Sequence, residues 1–323
     1  MKMTTDRRYF QLLFGILIMT GILCGCASSH GQLEMPNYKS LMKQQLETVP
    51  DDVTNPKKLT EMTSEDRERL GDISVSRGNL QMAFVQYQKC LKLSPDNTRV
   101  KYKKGMVFVL GGLNDDAVQE FRAVLKQKPE HSLAHEGLGL AFFQMDRYED
   151  AERHFRKAIE LDSTLWKAHN MLGAIYDHQG EHNEATREYR LAIDFRGSDG
   201  LLYNNLGVSY LLAGHYEKAI VALREGIKRE PSSARLYNNL GLALAKLGRD
   251  GEALLAFMEH GSEAQALNNL GCVYLQQGEQ KKAIRTFEKA LAIKPDFYHR
   301  ASQNLKKAKA GRVYDIFSIK SDN

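Results

Sequence analysis

Between residues 61 and 296 the apolar positions recur at intervals of three and four, the period of amphipathic helices. Short polar turns interrupt them, such as Gln179-Gly180-Glu181 and Ala213-Gly214-His215, where glycine supplies the break. The pattern is itself repeated. Glycines stand at Gly71, Gly105, Gly139, Gly173, Gly207, Gly241 and Gly271, spaced by 34 five times and once by 30. A leucine precedes six of them (Leu70, Leu138, Leu172, Leu206, Leu240, Leu270). Twelve residues after each comes alanine: Ala83, Ala117, Ala151, Ala185, Ala219, Ala253, Ala283. Sixteen after each comes a large apolar residue: Tyr87, Phe121, Phe155, Tyr189, Leu223, Phe257, Phe287. Each unit therefore predicts two short helices. Glycine and alanine let the helices approach, and the large side chain is expected to plug the gap to the next unit, where its burial is worth ~1.5–3 kcal/mol. Helices this short are marginal alone, so stacking on neighbours must stabilise them.

This pattern, with prolines closing units at Pro95, Pro129, Pro231 and Pro295, resembles the tetratricopeptide repeat. The resemblance implies an all-α, right-handed superhelical solenoid of about seven helix-turn-helix repeats over 61–296. A capping helix is expected at 297–310, with Phe297, Ala301, Leu305 and Ala308 on one side, followed by a tail at 311–323 whose segment 313–319 is apolar. The sixth unit is four residues short, so a change of superhelical pitch is expected at 258–263. Arg67 and Lys101 replace the aromatic that opens later units, which suggests a polar N-terminal face.

The N-terminus changes the picture. Lys2, Arg7 and Arg8 precede an apolar run at 10–23, the organisation of a secretory signal and too short for a confident membrane span. It ends in Leu23-Cys24-Gly25-Cys26, which resembles a bacterial lipobox, so residues 1–25 are expected to be removed and Cys26 lipidated. Ala27 and Ser28 follow, where Asp would favour retention in the inner membrane; the expected location is the outer membrane, periplasmic side. Residues 26–60 form a tether, about 32 Å as a flexible coil, with Tyr38, Leu41, Met42, Leu46 and Val49 on one helical face. That helix either packs on the first repeat or meets a membrane surface or partner. Composition agrees with a folded, water-facing body: 42% hydrophobic, 26% charged, net charge +5. The basic residues form no cluster, so nucleic acid is not an expected partner. Cys90 and Cys272, in non-adjacent units, read as unpaired.

Catalytic motifs are missing. His135-Glu136 opens like a zinc-protease helix, but Gly139 stands where the second histidine belongs. The pairs His131/His135 and His178/His182 read as solvent-facing. There is no phosphate-binding glycine loop and no nucleophile elbow. No enzyme activity, small-molecule substrate, cofactor or metal is expected. The expected site is instead the face of the first helices, which lines a groove in the family resembled. Asn170, Asn204, Asn205, Asn238, Asn239, Asn268 and Asn269 fall on that stripe, Leu201, Val208, Leu211, Leu212, Leu242, Cys272 and Leu275 make it apolar, and Lys167, Arg235 and Lys246 rim it. Amides can bind the backbone of an extended peptide; equally, they can satisfy backbone between stacked repeats. A lipidated array shortened just before Ala266-Leu267-Asn268-Asn269-Leu270-Gly271 resembles the TadD family of Flp, or tight-adherence, pilus assembly lipoproteins. That resemblance implies protein partners such as the outer-membrane secretin. A scaffold for exopolysaccharide export or outer-membrane protein assembly is the alternative. Replacing Cys26 by serine should leave an unprocessed precursor and abolish partition with membranes, read by fractionation; normal processing of Cys26→Ser would contradict lipidation.

Overall fold

The computed structural model describes residues 62–294 and 299–310. The leader, Cys26, the tether with its helix near Tyr38, Phe297 and the tail segment 313–319 lie outside the described residues. Those described fall into two compact units, 62–172 and 173–310. The first contains α1 (Ser64–Ser76), α2 (Leu80–Leu93), α3 (Thr98–Leu110), α4 (Asn114–Gln127), α5 (Ser132–Gln144) and α6 (Tyr148–Leu161). Helix α7 (Trp166–Gln179) runs through the boundary. The second contains α8 (His182–Phe195), α9 (Gly200–Leu212), α10 (Tyr216–Arg229), α11 (Ala234–Lys246), α12 (Asp250–Met258), α13 (Glu263–Gln276), α14 (Gln280–Ile293) and α15 (His299–Lys309). Among the described residues there is no strand, and no helix is long and apolar enough to cross a membrane. The architecture is an all-α solenoid of helix-turn-helix repeats.

One contact repeats in every unit. A Cβ placed on the glycine of the first helix would meet the side chain sixteen residues later at 2.3–2.8 Å, from Gly71 against Tyr87 to Gly271 against Phe287. Real Cβ contacts are not that short, so the ring or Leu223 isobutyl group occupies the space where a side chain would stand. Phe121, Phe155, Leu223 and Phe287 are fully buried, as are all seven alanines twelve after glycine. The alanine that allows close approach and the large residue that fills the pocket are therefore parts of one contact.

The turn between paired helices needs a left-handed residue. Gly78, Gly112, Gly180, Gly214, Gly248 and Gly278 take it, with φ of 72–81°, where glycine carries no Cβ penalty. Asp146 holds the same place in the third unit at φ 58°, and its carboxylate accepts from the Tyr148 hydroxyl.

The shortened unit keeps this contact and loses its end. Helix α12 has 9 residues where α10 and α14 have 14, yet Phe257 still lies against Gly241. Ser262 then opens α13 with a capping box: its side chain accepts from the Gln265 N–H while the Gln265 side chain accepts from the Ser262 N–H. Leu254 packs on a cluster of Leu267, Ala290 and Ala301, which joins the short helix to the end of the array. Helix α15 follows α14 and buries Ala301, Asn304 and Ala308.

One expectation at the other end is corrected. Arg67 is buried, and its guanidinium donates to Gln86 Oε1 at 3.2 Å, so it is an internal partner of α2 and not part of an exposed polar face.

Two glycine substitutions test the packing account. Gly241→Ala should destabilise by ~1–3 kcal/mol, because the added methyl would stand 2.4 Å from the buried Phe257 ring. Gly251→Ala, in α12 with nothing within 4 Å, should stabilise by ~0.4–1 kcal/mol by restricting the unfolded chain. Chemical denaturation of both variants checks the contrast.

Candidate functional site

The asparagine positions do not form an open ladder. Asn170, Asn204, Asn239, Asn268 and Asn269 are all buried, with Asn204 and Asn239 each 2% exposed, so of the two roles open to these amides they take the internal one between stacked helices. Asn239 Nδ2 donates to Asn204 Oδ1 at 2.8 Å, and Asn304 Nδ2 of α15 donates to Asn268 Oδ1 at 3.0 Å. Both bonds join the first helix of one unit to the next first helix, and both are buried enough to matter for stability. Near the N-terminus the same register carries charge. Glu68, buried at 5% exposure, accepts from Lys103 Nζ at 2.7 Å and from Arg99 Nη2 at 2.6 Å. The position three before glycine thus meets the position two before the next glycine, as an ion pair at one end and an amide pair at the other.

In the third unit that position is Glu136, 4% exposed. Burial pushes its carboxyl above the usual range, partly offset by the Lys167 ammonium. Tyr102, half-buried, is pushed up to about 12 by desolvation and then by Glu136. Lys167 itself is exposed and lies over the Trp166 ring.

The expected apolar floor is likewise mostly internal. Val208, Leu211, Leu242, Cys272 and Leu275 are buried; Leu201 and Leu212 are exposed, at 41% and 37%. They lie eleven residues apart, within about 20° of one helical azimuth, at opposite ends of α9. Asn205, Asn238, Arg235 and Lys246 are half-buried, and burial lowers the Lys246 ammonium pKa.

At the Leu201 end the surface opens into a hollow of about 420 Å³ lined by Asp199, Gly200, Leu201, Asn204, Glu230, Ser233, Arg235 and Leu236. Its edge is set by Glu230, whose Oε1 accepts the Gly200 N–H at 3.1 Å across the first turn of α9. A Cβ at Gly200 would lie 2.7 Å from the Glu230 carboxyl carbon, which explains the glycine there. Asn204 Nδ2 and Asn239 Oδ1, both closed to solvent, have no hydrogen-bond partner. Sequence reasoning named Leu201, Asn204 and Arg235 but missed Glu230 and Gly200, whose contact spans 30 residues.

The histidines separate into different jobs. His131 caps α5, its Nδ1 accepting the Ala134 N–H at 3.1 Å, and does not pair with His135. His182 Nδ1 lies 2.8 Å from Asp177 Oδ1, while His178 is exposed. Ser209 is fully buried and donates to that same Asp177 oxygen at 2.7 Å, so its hydroxyl is closed off from any substrate. Among the described residues no three His, Cys, Asp or Glu side chains form a group that could hold a metal ion.

Profiles described as "Tetratricopeptide repeat" match residues 68–97, 102–165, 154–187 and 264–297, and one described as "TPR repeat" matches 209–248. The repeats are tetratricopeptide repeats. None of these profiles describes an enzyme, and repeat proteins of this kind are generally non-catalytic scaffolds. Solved structures share the tetratricopeptide fold. The APC/C hetero-tetramer Cut9-Hcn1 aligns with TM-score 0.54 and 19% identity, over 83% of this chain and 51% of that one. A tetratricopeptide repeat protein from Parabacteroides merdae aligns with TM-score 0.51 and 15% identity, over 76% of this chain and 98% of that one. YrrB, titled a TPR protein with an unusual peptide-binding site, shows 23% identity over 59% of this chain and 99% of its own, with TM-score 0.48. This chain spans about half the length of the Cut9-Hcn1 chain. No curated protein matches the sequence.

The amide pair gives a stability test. Asn239→Ala should cost about 1–3 kcal/mol, because it strands the buried Asn204 carboxamide. The double substitution with Asn204→Ala should cost less than the sum of the singles, measured by thermal or urea unfolding.

Proposed function

We propose that the protein is a periplasmic scaffold, anchored in the outer membrane through a lipidated Cys26, that docks protein partners during assembly of a pilus or secretion machine. Tetratricopeptide repeats serve as protein-interaction scaffolds, and that much rests on the repeat matches along the chain. The lipobox-like Leu23-Cys24-Gly25-Cys26 and the likeness to the TadD family support the anchor and the pilus setting. The outer-membrane secretin is the proposed partner.

The observation that carries the docking role is the hollow at the starts of α9 and α11. An exposed leucine, Leu201, stands there beside Arg235, Asp199 and Ser233, so an apolar anchor is surrounded by groups that can take up the polar atoms of a peptide. The buried asparagines support this role indirectly, by fixing the spacing of the first helices that carry these side chains.

A photo-crosslinking amino acid at Leu201 should capture the secretin in intact cells, whereas one at Glu217, exposed on α10, should not. Leu201→Asp combined with Arg235→Glu should lower secretin recovery at least ~10-fold while the circular dichroism spectrum is unchanged. Equal crosslinking from both sites, or recovery untouched by the double substitution, would contradict docking at this hollow.

A further inference from the structure

The third repeat holds a feature that the docking role does not use. In the first and third units the residue four before glycine, on the first helix, meets the residue fifteen after it, on the second. In the first unit these are Arg67 and Gln86, joined by a hydrogen bond. In the third they are His135 and His154, with their Nδ1 atoms 3.1 Å apart and ring centroids 5.3 Å apart. The same register carries Tyr203 and Ala222 in the fifth unit and Tyr237 and Ala256 in the sixth. Nothing in the fold itself demands two imidazoles.

Ring chemistry decides which atoms carry protons. His135 Nε2 faces the Pro129 carbonyl at 3.3 Å, and a carbonyl only accepts, so that nitrogen bears the hydrogen. In the neutral ring His135 Nδ1 is then a bare lone pair aimed at His154, which must donate its own Nδ1–H. A histidine oriented by a backbone carbonyl through its far nitrogen is the usual arrangement behind a metal ligand. Stacking on Phe142, at 5.5 Å between centroids, holds the His154 ring from the other side. Both rings are uncharged at neutral pH: burial lowers His135, and burial followed by the neighbouring His135 lowers His154 to about 4.

We propose that His135 and His154 form a binding site for a borderline divalent cation of the zinc class, the ion replacing the hydrogen bond between the two Nδ1 atoms. Two imidazole nitrogens on a tetrahedral zinc stand about 3.3 Å apart, given bonds of ~2.0–2.1 Å, so the nitrogens must part by a few tenths of an ångström and both rings, which now meet nearly head-on, must turn until their lone pairs converge on the ion. His154 stays neutral by carrying its proton on Nε2 in place of Nδ1, so no net proton is gained or lost. The remaining coordination positions face a hollow of about 530 Å³ lined by both histidines with Glu149, Glu152, Arg153, Arg156, Lys157 and Glu160. Glu152 and Glu160 are already paired with Arg156 and Lys157 on the same helix. Water therefore fills those positions, and the ion is exchangeable. Three carboxylates balance three cations around the hollow, so affinity comes from imidazole nitrogen and not from net charge. That favours zinc, nickel or copper over magnesium or calcium, which prefer oxygen.

Calorimetric titration of the purified full chain with zinc, in buffer containing excess magnesium, tests this. His135→Ala and His154→Gln should each weaken the site at least ~10-fold, the second placing at this register the glutamine that the first unit uses. His182→Ala should leave that site unchanged. Cobalt in place of zinc should give visible ligand-field absorption that is lost in His154→Gln. Circular dichroism identifies any variant that fails to fold, and His154→Gln serves alone if His135→Ala does so. Failure of the wild-type chain to bind zinc up to millimolar concentration, or isotherms unaffected by His154→Gln, would overturn the proposal.

Discussion

The structure depends on one steric relation, a glycine in each first helix that leaves room for a large side chain sixteen residues later. A helix of 13 or 14 residues has little stability of its own, so each must obtain it from a neighbour. Removing one Cβ from the first helix allows the second to approach until its ring or isobutyl group lies in the vacated space. The buried alanine twelve after glycine extends that close approach. Everything functional is placed by this relation, because it fixes which residues of each first helix face the next unit and which remain on the surface.

Polar groups then specify what packing alone leaves open. The same inter-repeat register carries Glu68 with Lys103 near one end and Asn204 with Asn239 near the other. A buried carboxylate with two cationic partners and a buried amide pair are both costly if misaligned, so each disfavours a shifted stacking of otherwise similar helices. The register between helices of one unit varies in the same way, from Arg67 with Gln86 to His135 with His154. A uniform apolar scaffold thus carries local polar chemistry that differs from repeat to repeat.

The fold was legible in the sequence because periodicity reports packing directly: the spacing of Gly207, Ala219 and Leu223 is enough to place two helices against each other. The shortened helix of the sixth unit followed from the same arithmetic. The site was less legible. Asn204 and Asn268 lie on the stripe where spacing puts them, but spacing within one helix cannot say whether the next helix covers that stripe, and here it does. His135 was weighed against His131, four residues away, when its partner is His154 on the following helix. Neighbours in a repeat array are set by the register between helices, and the Arg67 and Gln86 positions, at the same offsets from Gly71, carried that signal.

The most direct test of this account is a double-mutant cycle across the repeating contact, Gly241→Ala with Phe257→Leu. The sixth unit would then carry alanine against leucine, a smaller partner that can yield the space taken by the added methyl. If the two side chains share one volume, Phe257→Leu should recover part of the stability lost to Gly241→Ala, with a favourable coupling of about 1–2 kcal/mol in urea denaturation. Strict additivity of the two substitutions would contradict the claim that this contact holds the repeats together.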